Sequence, residues 1–231
     1  MQLGTYLREH DSLAFEEILF EIPLRKEYTL AHIGLGKRVL DLGCLGGRFS
    51  LLIAERNNEV WGVEINPAAA AVAKSRGLRV KVADLEEGFP FADASFDVVH
   101  AGQTAEYLYD TKFFFTEAFR VLRPGGQLLM SVSNLNSLKN RIQVVTGGFL
   151  SRMGAYPEDH FGESIRPFNL HKIQDLCQQT GFQIEEIRGV PATLAPKPAA
   201  RLLSGIGLIF PQLSDILFVA AQKMATDSDS D

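Results

Sequence analysis

The hydrophobic positions of this chain fall into short blocks that alternate between two periods. Val39, Leu40 and Leu42 form a brief apolar run; Gly43, Gly46 and Gly47 break it, and Phe49, Leu51, Leu52 and Ala54 resume at helical spacing. The alternation repeats downstream. Residues 59–64 read as a strand, and the next helix opens at Pro67, a good first-turn residue, runs through Lys74 and is closed by Gly77. Further strands are read at 78–83, 96–102, 127–133, 182–190 and 216–223, with helices at 47–56, 111–122 (ended by Arg123 to Gly126) and 169–180. Strands that alternate with helices and are apolar throughout predict an α/β fold, a doubly wound and mostly parallel sheet covered on both faces.

Three stretches leave this rhythm. Within residues 1–36, Leu13, Phe15, Ile18, Leu19 and Ile22 suggest one amphipathic helix and residues 24–35 a second, read as a helical cap or as ordinary packing helices. Residues 135–168, dense in Asn, Ser, Gly, Arg and Pro, and residues 191–213, rich in Pro and Ala, read as insertions. We expect them on the substrate side, where with the N-terminal helix they form a lid; a helix packed on the sheet or a dimer contact is the alternative for residues 191–213. Residues 225–231 read as a solvated acidic tail, expected to be disordered. The expectation is one domain over residues 1–224.

Composition narrows the function classes. With 231 residues and 46% hydrophobic content the chain can bury one good core. A net charge of -5 without a basic stripe argues against nucleic acid as partner. Two cysteines, Cys44 and Cys177, do not make a disulfide framework, and this usage fits the cytoplasm. Arg8, Glu9, His10 and Asp11 leave no room for an early signal core. The most apolar stretch, 202–221, contains Pro211, Gln212 and Asp215, so no stable membrane insertion is expected. A homodimer stays open.

The glycine turn after the first strand is where chemistry enters. Positive φ and close approach of a ligand to the backbone both exclude a Cβ, and the following helix offers free N–H groups to an anion. Asp41 stands before the first glycine, and the dinucleotide fingerprint G-x-G-x-x-G is missing. A carboxylate there would repel a pyrophosphate but suits an ammonium or sulfonium. The second strand ends on Glu64, placed to accept from two ribose hydroxyls; the third is followed by Asp84, where an acid can receive an adenine amino group. Three surface acids at αβ turns are the plainer reading of the same pattern.

The stretches VLDLGCLGGRFS, VEI, ADLEEGFPFADASFDVVHAG and RVLRPGGQLLMSV, in this order, resemble a class I S-adenosylmethionine-dependent methyltransferase over about residues 37–134. The resemblance implies a Rossmann-like, seven-stranded sheet with an antiparallel final strand. It also implies S-adenosyl-L-methionine as cofactor, held by Asp41, Gly43, Cys44, Gly47, Glu64, Ile65, Asp84, Leu85, Ala101 and Gln103, and a small-molecule acceptor. One departure stands out: the family writes D-x-G-x-G-x-G, and Leu45 takes the place of its middle glycine.

Methyl transfer is a direct displacement, in which alignment alone is worth roughly 7–11 kcal/mol and a base is needed only for a protonated nucleophile. Relatives of the ubiquinone-biosynthesis type carry E-x-x-E-H after the fourth strand. This chain has Gln103, Glu106 and Tyr107, which removes most hard-cation ligands and implies no metal. Glu106 or Tyr107 could face the substrate, with a helix-start acid as the alternative for Glu106, and His100 reads as a structural histidine. The insertion resembles a narrower bacterial group that includes MetW-like proteins. There His160 could act as base and Arg141 or Arg166 could pair with an anion, or these residues and His171 could tie the insertion to the sheet. The reading is a methyltransferase acting on a small molecule, most simply at oxygen. The alternative is a non-catalytic binding or regulatory protein of the same fold.

Overall fold

The computed structural model describes residues 13, 16, 23–148, 165–190, 205, 206 and 208–224. Helix α1 (Pro23–Ile33) leads to β1 (Arg38–Leu42), then α2 (Arg48–Ala54), β2 (Glu59–Glu64), α3 (Pro67–Ser75), β3 (Arg79–Val82) and β4 (Phe96–Gly102). A single 3-10 turn at Ala105–Tyr107 precedes α4 (Thr111–Val121) and β5 (Leu122–Ser133). They are followed by α5 (Leu138–Val145), α6 (Leu170–Thr180), β6 (Phe182–Val190), a 3-10 turn at Pro211–Leu213 and β7 (Ile216–Lys223). The seven strands form one sheet in the order β3-β2-β1-β4-β5-β7-β6. β1 to β5 pair in parallel, and β7 runs antiparallel to β5 and β6, as the sequence predicts.

Strand pleating divides the core. Leu40, Leu42, Val99, Ala101, Leu128 and Met130 point to one face, where Phe114, Phe115 and Ala118 of α4 and Ile173 and Leu176 of α6 cover them. Val39, Val98 and Leu129 point to the other, under Ile33 of α1 and Ile53 of α2. Each large aliphatic side chain buried this way contributes about 1.5–3 kcal/mol. Helix α3 starts where Asn66 Oδ1 accepts from the N–H groups of Ala68 and Ala69, and its buried face is alanine (Ala69, Ala70, Ala73), which lets it lie close to β2 and β3.

Two expectations are corrected. Arg123 to Gly126 do not simply end a helix: they begin β5 as a bulge, because pairing steps from Phe96 with Leu122 to Val98 with Gln127. Asp97 lies opposite the bulge and pairs with Arg123. The strands are also not apolar throughout. β3 buries only Val80 and exposes Arg79, Lys81 and Val82, because it is an edge strand, where charge discourages pairing with another chain. β6, at the other edge, is likewise half exposed.

Asn134 ties the end of β5 to distant segments. Its N–H donates to the Asp215 carbonyl at 2.8 Å, its Nδ2 donates to the Ser214 and Gln212 carbonyls at 2.7 and 3.0 Å, and its Oδ1 accepts from Asn136 N–H. Helix α5 grows from this anchor and leaves Ile142, Val144 and Val145 exposed, as are Leu208, Ile209 and Phe210 near the other end of the tie. Among the described residues no helix is long and apolar enough to cross a membrane. The expected tail, residues 149–164 of the first insertion and most of the second lie outside the described residues.

Candidate functional site

Chain order reverses between β1 and β4, and in doubly wound sheets the crevice at the strand ends beside such a switch binds ligands. Here Asp41 of β1 and His100 of β4 are register partners across the switch. Asp41 Oδ1 meets His100 Nδ1 at 2.7 Å, and Asp41 Oδ2 accepts from Ser50 Oγ at 2.5 Å. The Phe49 ring lies 4.9 Å from the imidazole, centre to centre. Above them opens a pocket of about 370 Å³, open solvent at its mouth included. Glu16, Arg25, Asp41, Gly43, Cys44, Leu45, Phe49, His100 and Gly102 line it.

The glycine turn is shaped by its surroundings. Gly43 and Cys44 donate their N–H groups to the Val63 carbonyl at 2.8 and 3.1 Å. Gly47 has φ 84°, and a Cβ there would run into Leu78 and Ala73. Leu45, in the place of the family's middle glycine, adopts φ 52°, the left-handed region glycine would use. Its N–H donates to Glu64 Oε2 at 2.9 Å, while Glu64 Oε1 accepts from Asn66 N–H at 2.8 Å. Glu64 therefore clamps the turn from beneath, and burial raises its pKa. The helix start expected to be free is not: Arg48 N–H donates to Glu16 Oε1 at 2.7 Å, and Arg76 bridges Glu16 Oε2 and the Gly46 carbonyl.

The pocket carries both signs of charge. Arg25, 4% exposed, reaches in from α1 with its guanidinium carbon 5.6 Å from the Phe49 ring centre. Burial lowers its pKa to about 10, and Asp41 and Glu106 act against that fall, so it stays a cation at neutral pH. Cys44 packs under the turn against Gly62, and burial pushes its thiol well above the ordinary value, so it remains a neutral thiol.

Of the residues singled out from sequence, Asp41, Gly43 and Cys44 line the pocket. Glu64 is just below it. Ile65 and Asp84 are half buried and Leu85 is buried, and the Asp84 carboxylate accepts from Glu86 N–H at 3.0 Å. Ala101 is fully buried. Gln103 is 2% exposed, with Nε2 3.4 Å from Ser133 Oγ and Oε1 without a partner among the described residues. Glu106 is fully buried; its oxygens accept from Ser133 N–H and Ser133 Oγ at 2.9 and 2.8 Å, and its backbone carbonyl accepts from Ile165 and Arg166. Tyr107 is half buried on the same turn. Arg141 donates to the Asn136 carbonyl and Arg166 to the Tyr109 carbonyl. His160 lies outside the described residues. Among the described residues no three His, Cys, Asp or Glu side chains converge as metal ligands would.

Comparison with known proteins agrees with this geometry. Residues 40–130 match the model of a methyltransferase domain. A probable S-adenosylmethionine-dependent methyltransferase of Mycolicibacterium smegmatis is 36% identical over 163 residues, 70% of this chain and 58% of that protein. These matches support a class I S-adenosylmethionine-dependent methyltransferase. The ubiquinone biosynthesis O-methyltransferase of Xanthomonas oryzae is 27% identical over 175 residues, 73% of this chain and 72% of that one. A solved S-adenosylmethionine-dependent methyltransferase from Thermotoga maritima, 19% identical, shares the fold with a TM-score of 0.69 over 96% of this chain and 100% of its own. The chain spans just under three fifths of the length of its mycobacterial relative.

S-adenosylmethionine is the cofactor of this family, and the pocket fits it on its own residues: a buried cation and a buried carboxylate face one cleft that Gly43 and Gly102 also line. Sequence reasoning missed Arg25, Glu16 and the pocket-facing side of His100. A signal for Arg25 was present. Arg25, Thr29 and Ile33, spaced i, i+4, i+8, form the buried stripe of α1, and a cation on such a stripe needs a partner.

Proposed function

We propose that this methyltransferase moves a methyl group from S-adenosylmethionine to an oxygen of a small-molecule acceptor, by direct displacement and without a metal ion. The observation that carries the reading is that Arg25 and Asp41 line one buried cleft at the switch point, complementary to an amino-acid zwitterion. When bound, the cofactor supplies an electrophilic methyl group on a sulfonium. The chain's own part is to hold and orient. Arg25 receives a carboxylate, Asp41 and the bare backbone of Gly43 and Gly102 accommodate the ammonium side, and Glu64 keeps the turn in register through Leu45 N–H.

Acceptor oxygen is supported by the ubiquinone O-methyltransferase relatives, and metal independence by Gln103 and Tyr107 where metal-using relatives resemble one another in acid and histidine. Glu106 spends its carboxylate on Ser133 and serves to position the end of β5. His160 is the proposed base for a protonated acceptor. A panel of phenols, hydroxy acids and amines, assayed for S-adenosylhomocysteine release with and without a strong chelator, tests this. Turnover on a hydroxyl acceptor that survives chelation is expected. Turnover confined to amines, or lost on chelation and restored by magnesium, would overturn it.

A further inference from the structure

We propose that His100 is a cofactor-positioning residue, whose Nε2 accepts a hydrogen bond from the α-ammonium of the bound S-adenosyl ligand. The inference rests on the reading that this pocket holds that ligand. It starts from the tautomer. Asp41 accepts at both oxygens, from Ser50 Oγ at 2.5 Å and from His100 Nδ1 at 2.7 Å, so the imidazole proton sits on Nδ1. In a neutral ring, Nε2 is then a lone-pair acceptor.

That lone pair is left over by the fold. A histidine kept only for packing usually has both nitrogens satisfied. His100 is 4% exposed and lines the pocket, yet its Nε2 has no hydrogen-bond partner among the described residues. Gly102 leaves the edge of the ring open: a Cβ there would stand 3.2 Å from Cε1, 3.4 Å from Nε2 and 2.6 Å from an Arg25 guanidinium nitrogen. The imidazole acceptor and the Arg25 cation thus sit side by side, in the arrangement that an ammonium and a carboxylate on one carbon require. Phe49, packed at a tilt of 35° against the imidazole and lying under Arg25, supports both groups.

The test uses the whole chain and two ligands, S-adenosylhomocysteine and its analogue lacking only the α-amino group. The expected result is that wild type binds the first more tightly, and that His100→Phe loses about tenfold or more for the first but little for the second. In nitrogen-15 spectra of the wild type, the free protein should show the Nδ1–H tautomer, and the Nε2 resonance should move upfield when S-adenosylhomocysteine is added. The spectrum decides even if the Phe variant does not fold. If S-adenosylhomocysteine binds while Nε2 stays unmoved, or if the variant loses equally for both ligands, the proposal is wrong and the pocket assignment stands. If wild type binds neither, the pocket assignment itself fails.

Discussion

At Leu45 a side chain sits where the family keeps glycine, with φ 52°. The left-handed region costs an L-residue about 1–2 kcal/mol, and glycine in its place returns about 0.5–1 kcal/mol of that through its freer unfolded state. Leu45→Gly should therefore change stability by no more than about 1 kcal/mol. Leu45→Val, branched at Cβ, should destabilise by about 2 kcal/mol or more. Urea unfolding measures both, and a Val variant as stable as wild type would contradict the assigned backbone. Gly47 is stricter, since both its φ and the Leu78 contact exclude a side chain. Glu64 gives a pH signature. Burial raises its pKa above the ordinary 4.5, so between 4.5 and the raised value the folded state binds more protons than the unfolded one. Stability must then fall as pH rises through that window. Glu64→Gln cannot titrate, so its stability relative to wild type should climb with pH from 4.5 upward; parallel curves would rule out the buried, clamped carboxylate. The three strand-end acids were legible in the sequence because strand ends are. That Glu64 accepts from the turn's own Leu45 N–H was not, since nothing in a linear pattern says which way a carboxylate folds.

Elements were read well where burial is two-sided. β1, β4 and β7 match the expected spans closely because central strands are buried on both faces and their apolar runs stand out in the sequence. The edge strands β3 and β6 were also placed, β6 over the expected 182–190, but they are not apolar throughout as expected, and at Arg123 to Gly126 turn-forming residues sit inside a strand as a bulge. The helix pattern of α1 was found, while Arg25 on its buried stripe was not singled out. Asn134 supports a proposal at this scale: that α5 and residues 205–213 move together as parts of a lid. One side chain holds both, through the Ser214 and Gln212 carbonyls and Asn136 N–H. Asn134→Ala should cost about 2–4 kcal/mol by stranding these groups. In wild type, hydrogen exchange should slow in both segments when S-adenosylhomocysteine is added. Slowing confined to the glycine turn, with residues 205–213 already protected in the free protein, would make them core.

The whole molecule is a sheet whose polar groups gather at one switch point. Both faces bury apolar side chains, and the crevice between β1 and β4 holds Arg25, Asp41 and His100 with opposite charges set against each other. Such a site should gain from its ligand: at a hundred times the dissociation constant, binding adds about 2.7 kcal/mol of stability. The central claim is that this cleft binds the amino-acid end of an S-adenosyl cofactor. Isothermal calorimetry of the full chain with S-adenosylhomocysteine tests it most directly. The account predicts one site per chain and at least a tenfold weaker affinity in Arg25→Ala, the ligand's carboxylate having lost its guanidinium. No measurable binding by the wild type, or an Arg25→Ala variant that binds as tightly, would contradict it.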